Sequence, residues 1–479
     1  MRSSTFGNCT KNPSLYFYVA VLAVFLGICS PFLLSHGMFM DGVVYASVSR
    51  NMALGEGQFW FPYYTETLYP VFYENPPLVF WLQSLCFRAF GTSVFVERFY
   101  SVFTIILTGF LIVKIWKEIT KETVTAWFPL FLFVMFPIIT WTAMNNMLEN
   151  TMTVFVCSAA FFYLAGVRKR KYYFTVISGL LLCLAVLSKG VVACFLWTFP
   201  FWIWLFSKKI SFRQAVTDTL TLVFFTFIPL VLFYVFSPDA KQFFDNYLSI
   251  QLFPSLSGER ETVDTRFHIL NKLFENIIVT IILLLPLLIV LIAKKKVNLL
   301  KKHRRSSFLF FALSLCGILP VMLSLKQSGF YIVPAYPFLV IAFALPFQPF
   351  IKNLMEKINT ASKGFLIFKI VSFSLLFAVL VFSFSQKNKF ARGQEELETV
   401  FLCSKYVPQY TTISIEWDIR SRYNFYGYFA RYQHISLDPN HAHRYYLHDK
   451  SLSSKILDEN YIPLLDMENF VLFKRNDIE

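Results

Sequence analysis

The sequence predicts a mainly α-helical protein that crosses a membrane many times, with a long first outer loop and a small C-terminal α/β domain. Over 479 residues the chain is 56% hydrophobic, 19% aromatic and only 15% charged, which leaves too little polar surface for a water-soluble protein of this size. Its apolar residues gather in runs that are long enough to cross a bilayer. Two long polar stretches, 36–98 and 387–479, stand apart from these runs.

The apolar runs provide eleven candidate crossings. A helix needs about 20 residues at 1.5 Å each to span about 30 Å of hydrocarbon. We expect the first run to be a retained helix, because no small-residue cleavage site follows it. The eleven runs are centred near residues 26, 106, 134, 159, 180, 199, 228, 285, 315, 340 and 377.

Basic residues predict the orientation of the chain. Lysine and arginine concentrate in every second connecting segment, for example in 168–171 and 294–305, and such segments face the cytoplasm. The N-terminus is then cytoplasmic, and eleven crossings place the tail outside. We therefore predict a membrane domain over 1–386, whose first outer loop is 36–98, and an extracytoplasmic domain over 387–479. In a bacterium this means a multi-pass protein of the plasma (inner) membrane.

The net charge of +15 raises the question of a nucleic-acid partner. Such a partner requires a basic face on a folded domain, whereas the basic residues here lie between apolar runs and so favour membrane lipids instead. The sequence thus predicts no nucleic-acid binding.

The two polar stretches carry signs of local structure. In the first loop, Val43–Ala53 and Leu78–Phe90 are amphipathic and suit helices at the membrane interface. In the tail, Thr411–Trp417 and Asn469–Lys474 are typical of strands, whereas Glu395–Tyr406 is typical of a helix. This mixture predicts the small α/β domain.

The first loop contains two acids that suggest chemistry. Asp41 lies just beyond the first apolar run, where a lone carboxylate is often only a solvated interfacial group. Glu74 precedes Asn75 and a Pro76-Pro77 pair. Proline fixes φ and restricts the residue before it, so this turn is rigid; the alternative is a loop-shaping turn with an exposed Glu. We interpret Asp41 as a catalytic acid or base and Glu74 as a substrate-binding group.

Three further charged residues lie at predicted outer helix ends. Glu149 sits between two apolar runs, where an acid is costly unless it faces water or a partner; a plain turn is the alternative. Lys189 and Lys326 are basic residues at outer ends, and snorkelling to the interface is their structural alternative. These residues are candidates for a site on the outer face.

Arg98 opens the second crossing from the outside. Adjacent residues on a helix do not face each other, so Glu97 is not expected to pair with Arg98. We expect the guanidinium to be available for another group, and its planar fork suits phosphate oxygens. Glu97 is expected to be a solvated neighbour.

Together these motifs resemble the GT-C superfamily of polyprenyl-phosphate-sugar glycosyltransferases, especially the lipid A 4-amino-4-deoxy-L-arabinose transferases and the protein O-mannosyltransferases. The likeness covers about residues 15–345 and is most specific in the first loop. The stretches that carry it are Asp41 with Tyr45-Ala46, Glu74-Asn75-Pro76-Pro77-Leu78 with Phe80-Trp81, Glu97-Arg98, Glu149, Leu187-Ser188-Lys189-Gly190 and 326–337.

The resemblance implies an inverting transfer of a hexose or pentose from a polyprenyl phosphate on the outer face to a lipid or protein acceptor. It assigns residue roles as well: Asp41 as base, Glu149 as second essential acid, and Arg98 as the group that holds the lipid phosphate. Lys189 and Lys326 would line the donor pocket, and Tyr331 matches the family's Tyr-x-x-Pro stretch.

Two positions depart from the family pattern. Asn75 stands where relatives often have Lys, and Phe330 where many have Arg before the Tyr. Both departures remove a cation, so we expect the donor pocket to carry less positive charge than the family pattern implies.

The chemistry of glycosyl transfer agrees with these roles. An attacking oxygen needs a base, typically worth about 10² to 10⁴ in rate, and a departing phosphate needs fixed positive charge. The alternatives are a protein O-mannosyltransferase-like enzyme and a transporter or polymerase of lipid-linked glycans, although a transporter would be expected to keep its ionisable groups near the bilayer midplane. No cofactor is assigned; a divalent cation at the three acids stays an open alternative, without His at ligand spacing.

Overall fold

Helices dominate the structure, a computed structural model that describes residues 13–476 apart from 260–261, 418, 420–421 and 453–459. The basic residues before position 13 lie outside the described residues. Nineteen α-helices are described in these parts of the chain. In chain order they are α1 (Ser14–Leu33), α2 (Met40–Leu54), α3 (Leu78–Phe90), α4 (Val96–Thr120), α5 (Trp127–Val134), α6 (Pro137–Met144), α7 (Leu148–Lys169), α8 (Tyr173–Lys189), α9 (Phe199–Trp202), α10 (Phe212–Phe236), α11 (Pro238–Asn246), α12 (Phe253–Ser257), α13 (His268–Ala293), α14 (Arg304–Ile318), α15 (Tyr336–Ala344), α16 (Gln348–Glu356), α17 (Lys363–Ser385), α18 (Gln394–Cys403) and α19 (Tyr423–Tyr428).

Short 3₁₀- and π-helical segments extend or join several of these helices. They include Val191–Thr198, Ile203–Ser207, Tyr247–Leu252, Val297–Lys301, Leu319–Leu323, Gly329–Ala335, Leu345–Phe347 and Phe429–Gln433.

The fold class predicted from the sequence is confirmed, but the count of crossings is lower. Within the described residues, eight helices are long and apolar enough to cross a membrane, or up to nine if the bent pair α5 and α6 forms one span. That pair bends by 71° where Pro137 begins α6, since proline cannot continue the hydrogen-bond ladder of a preceding helix.

The difference from eleven arises at the runs centred near 180 and 199. They form the shorter apolar helices Tyr173–Lys189 and Val191–Ser207. Gly190 separates them with φ 112°, a conformation that ends a helix and that favours glycine. The break, rather than a lack of apolar residues, shortens both.

The first of two units contains most of the apolar helices: residues 1–30, 101–143 and 148–385. Within it α8 packs between α7 and α10. Gly179 permits the close approach of α10, because a Cβ there would lie 2.6 Å from Cβ of Phe225. Helices α10, α13 and α17 bury only 17% of their most apolar windows, which leaves wide apolar faces for lipid and makes this a multi-pass membrane protein.

The second unit combines the first loop, residues 31–100, with 144–147 and 386–479. Its five-stranded sheet consists of β1 (Thr412–Ile415), β2 (Ser436–Asp438), β3 (Tyr445–Asp449), β4 (Tyr461–Asp466) and β5 (Phe470–Arg475). The strand order is β2-β1-β3-β5-β4. Strand β1 is parallel to β2 and β3, whereas β5 is antiparallel to β3 and β4. The predicted strands and helix of the tail are thus confirmed by β1, β5 and α18.

One hydrophobic core joins the loop and the tail within this unit. Met38 and Val43 are buried in the same cluster as Leu397, Phe425 and Phe429. The two helices predicted in the loop form as α2 and α3, and α2 packs against both α3 and α19. The first loop, which the sequence analysis placed in the membrane domain, therefore shares a core with the tail.

Candidate active-site residues

Asp41 lies in the first turn of α2 in the second unit and is half-buried. The positive end of the helix dipole stabilises a carboxylate at this position. The helix start is fixed, because the backbone N–H of Phe39 donates to Oδ1 of Asn145 at 2.7 Å. A Cβ on Gly42 would lie 2.0 Å from the backbone oxygen of Asn145, so only glycine permits this contact. The local geometry holds Asp41 in one place.

Glu74 is half-buried at the start of a rigid turn in the same unit. Asn75 is 7% exposed, and Pro76 and Pro77 are buried. Helix α3 begins directly after this turn, at Leu78. The turn is packed rather than floppy, as the diproline predicts.

Arg98 does not have the available guanidinium that the sequence analysis predicted. Its side chain is 2% exposed, and its two terminal nitrogens donate to the backbone oxygens of Ser35 and Gly37. Both partners precede α2, so Arg98 holds the chain that leads to Asp41. This arrangement favours a positioning role over contact with a lipid phosphate.

Glu97 is not the solvated neighbour that the sequence analysis expected. It is fully buried, and its carboxylate accepts from Nε and Nη2 of Arg431 at 3.1 and 2.9 Å. Arg431 is 3% exposed and also donates to the backbone oxygen of Thr92. This two-bonded pair connects the first loop to the tail within the second unit.

Three predicted residues meet in the first unit. Glu149, in the first turn of α7, is 1% exposed. Nζ of Lys189 lies 3.4 Å from Oε1 of Glu149 and 6.0 Å from the centre of the Tyr331 ring. A buried carboxylate with an ammonium and an aromatic face forms a polar group that can bind hydroxyls and an anionic oxygen.

The backbone fixes each partner of this group. Asn150 donates from Nδ2 to Oγ of Ser101 and to the backbone oxygen of Thr142, both at 2.9 Å, which secures the start of α7. Lys189 is the last residue of α8, and the next residue, Gly190, caps that helix with φ 112°. A Cβ on Gly190 would lie 2.8 Å from the hydroxyl of Tyr247, so the cap requires glycine.

Lys326 lies in a loop of the first unit that Gln327 holds. The amide of Gln327 donates to the backbone oxygens of Arg266 and Ser324 and accepts from the backbone N–H of Ile269. Lys326 itself is half-buried. The loop is thus anchored, and Lys326 projects from a defined backbone.

Phe330, where the resemblance predicts a cation, is 9% exposed. Its ring stacks on Trp141 at 5.9 Å with an interplanar angle of 10°. An aromatic pair therefore lies beside Tyr331.

Several buried polar residues were not found by sequence analysis. Arg431 and Asn145 carry no local signal, because their partners are far away in the chain. Asp218 had one: it is a charge in an apolar helix, 3% exposed, and it accepts from the Tyr163 hydroxyl at 2.8 Å. Among the described residues, no group of three or more His, Cys, Asp and Glu side chains is arranged to hold a metal ion.

The fold is similar to that of ArnT, in agreement with the GT-C resemblance of the sequence motifs. The crystal structure of ArnT from Cupriavidus metallidurans bound to undecaprenyl phosphate matches with a TM-score of 0.65 and 14% identity, over 96% of this chain and 97% of that chain. The apo structure of the same protein matches with a TM-score of 0.63 and 13% identity, over 96% and 97%. At this identity the likeness shows the fold.

Sequence comparisons agree with the resemblance to this class. Residues 74–233 match the family described as dolichyl-phosphate-mannose-protein mannosyltransferase. Over 180 residues the chain is 27% identical to undecaprenyl phosphate-alpha-4-amino-4-deoxy-L-arabinose arabinosyl transferase 1 of Proteus mirabilis (strain HI4320). That match covers 37% of this chain and 32% of the relative, so it spans about a third of that protein.

Proposed function

We propose that the protein is an integral membrane glycosyltransferase that moves a sugar from a polyprenyl phosphate to an acceptor on the extracytoplasmic face of the plasma membrane. The acceptor class that we favour is lipid A or another envelope glycolipid, and the reaction inverts the anomeric centre. The proposed donor class is supported by the arabinosyl transferase of P. mirabilis, which is named for an undecaprenyl-phosphate sugar.

A single observation carries the proposal: a half-buried carboxylate, Asp41, is fixed at the first turn of α2 in a chain that has the ArnT-like fold over 96% of its length. Gly42 and Asn145 hold this turn rigidly. A general base needs a defined position within reach of the proton that it removes, and the fixed helix start gives Asp41 a defined position.

In the proposed reaction Asp41 removes the proton from the acceptor hydroxyl as the oxygen attacks the anomeric carbon. The bond from that carbon to the phosphate oxygen breaks, and the polyprenyl phosphate leaves with the bonding electrons. Lys189 and Lys326 stabilise the developing negative charge on the phosphate. Glu149 is the second essential acid and orients Lys189. Glu74 is proposed to bind sugar hydroxyls.

A protein O-mannosyltransferase-like activity is the second candidate. It rests on the family match over residues 74–233. The two candidates differ in the donor sugar and in the acceptor, whereas the proposed base and cations are the same for both.

The test is transfer by purified protein in detergent, with a labelled polyprenyl-phosphate sugar and either lipid A or an acceptor peptide. We expect Asp41→Asn to lower transfer by about 10² to 10⁴-fold and to leave donor binding intact, because the substitution keeps the shape and removes the proton acceptor. Asp264→Asn, an exposed acid of the described part of the chain, is the matched control and should transfer normally.

Near-normal turnover of Asp41→Asn would refute the role of Asp41 and would make Glu149 the candidate for the base. Absence of any transfer by the wild-type protein, together with movement of the donor across vesicles, would instead establish the transporter alternative. Mass spectrometry of envelope lipids and proteins, with and without the protein, would identify the sugar and the acceptor.

A further inference from the structure

We propose that the C-terminal part of the chain positions Asp41 by holding the backbone of residues 35–39, which we name the lead-in segment. This inference rests on the proposed function, in which Asp41 is the base. It assigns a role in catalysis to a part of the chain that carries no recognised motif, and all of its contacts lie within the second unit.

The tail contacts the lead-in segment at three consecutive residues. His36 forms a short parallel bridge with Phe390: its N–H donates to the backbone oxygen of Lys389 at 2.7 Å, and its oxygen accepts from the N–H of Ala391 at 2.9 Å. The N–H of Gly37 donates to the hydroxyl of Tyr432 at 3.2 Å, and the hydroxyl of Tyr428 donates to the oxygen of Met38 at 3.1 Å.

Arg98 and Asn145, which lie in other parts of the unit, also form hydrogen bonds with the backbone of the lead-in segment. Arg98 donates to the oxygens on both sides of His36, those of Ser35 and Gly37. Asn145 accepts from the N–H of Phe39. Side-chain and backbone partners from other parts of the unit therefore bind seven polar backbone groups between the oxygen of Ser35 and the N–H of Phe39, just before the helix that carries Asp41. A segment held at this many points cannot shift without losing several hydrogen bonds.

Packing makes these partners rigid. Tyr428 is fully buried in the core that contains Phe425 and Phe429. Gly37 has φ 85°, and a Cβ there would lie 1.9 Å from the backbone oxygen of Arg392, so tail and segment are in backbone contact. A group whose support is locked by packing keeps its geometry to within about 0.5 Å, and a 1 Å displacement of a catalytic group can cost about 10²-fold in rate.

Tyr428→Phe tests the inference with little change of shape. Removing the hydroxyl releases the oxygen of Met38, three residues before Asp41. We expect kcat to fall about tenfold while the KM for the polyprenyl donor stays within about twofold, since a small shift of a base affects the chemical step. Tyr461→Phe is the matched control: its hydroxyl also donates to a backbone oxygen of this unit, that of His443 at 2.5 Å, and its kcat should stay within about twofold.

Arg98→Lys separates positioning from phosphate binding. A lysine cannot span both oxygens as the guanidinium fork does. We expect kcat to fall and the donor KM to stay unchanged; a rise in donor KM at constant kcat would overturn the positioning role. This variant also keeps the inference testable if Tyr428→Phe does not fold, which thermal unfolding would reveal.

A double-mutant cycle connects the effect to Asp41. In the Asp41→Asn background, Tyr428→Phe should not lower the residual turnover further, because both changes act through one group. Additive losses, or a normal kcat for Tyr428→Phe, would overturn the inference while the role of Asp41 stood. If Asp41→Asn alone kept normal turnover, the proposed function would fail first, so the two failures can be told apart.

Discussion

The buried pair of Glu97 and Arg431 gives the sharpest test of the structure. The two side chains are 0% and 3% exposed and share two hydrogen bonds. Arg431 also lies over the Phe87 ring at 5.3 Å and accepts from Nη1 of Arg50 through its backbone oxygen at 2.6 Å. Arg50 is itself buried, and burial together with the charge of Arg431 lowers the pKa of Arg50 to about 9. Arg431 thus pairs directly with Glu97, whereas the charge of Arg50 is balanced in part by Glu56 and Glu97.

We predict that Glu97→Gln destabilises the protein strongly. Removing one partner of a buried ion pair costs about 3–5 kcal/mol, because the remaining charge is left without compensation. For a folding unit of 150–250 residues, each kcal/mol shifts the Tm by about 2–4 °C, so we expect the Tm to fall by roughly 6–20 °C. Thermal unfolding of the purified protein in detergent measures this shift.

The matched control is Asp466→Asn in the same unit. The carboxylate of Asp466 pairs with Lys450 at 2.5 Å, but the two side chains are 76% and 38% exposed. Exposed pairs contribute about 0–1 kcal/mol, so the Tm should change by a few degrees at most. Equal Tm values for Glu97→Gln and the wild type would refute the argument, because they would mean that the buried pair does not form.

Replacing both charged residues of the pair tests the same argument from the other side. Apolar residues of similar volume often substitute for a buried pair at little cost. Glu97→Leu combined with Arg431→Met should therefore recover much of the Tm that Glu97→Gln loses.

Four further outcomes are expected. A C-terminal reporter that is active only in the cytoplasm should stay silent, because the basic segments place the tail outside. Lys189→Met should lower turnover by about 10²-fold, because it removes the cation 3.4 Å from Glu149 that would stabilise the leaving phosphate. Gly190→Ala should lower both stability and turnover, since φ 112° is strained for alanine and the new Cβ would lie 2.8 Å from the Tyr247 hydroxyl. The pKa of His434 is lowered from 6.5 to about 4 by burial and two nearby guanidinium groups; the unfolded chain therefore binds a proton first, and stability should fall as the pH drops from about 6.5 to about 4.

The results that would contradict these outcomes are equally specific. An active reporter means that the chain crosses the membrane an even number of times and that its tail is cytoplasmic. Normal turnover of Lys189→Met means that Lys326, and not Lys189, stabilises the negative charge of the leaving phosphate. A normal Tm of Gly190→Ala argues against the positive-φ cap. If His434→Gln unfolds with the same pH dependence as the wild type, another group causes the acid sensitivity.

The sequence by itself determined the elements whose signals are local. Hydropathy over about 20 residues located the apolar helices, and period-specific patterns located α2, α3, α18, β1 and β5. The Pro76-Pro77 pair indicated the packed turn before α3. Each of these patterns lies within the same segment of about two dozen residues or fewer that forms the element. The local sequence is therefore enough to predict the element.

The tertiary structure alone decided which charges meet. Arg431 lies 334 residues from Glu97, and Arg98 lies 63 residues from the Ser35 oxygen that it binds. The same holds for Tyr428 and Met38, 390 residues apart. Hydropathy and periodicity describe how a segment folds locally, whereas such pairs depend on which segments the packed core brings together, and a buried charge must find its partner there whatever the distance along the chain.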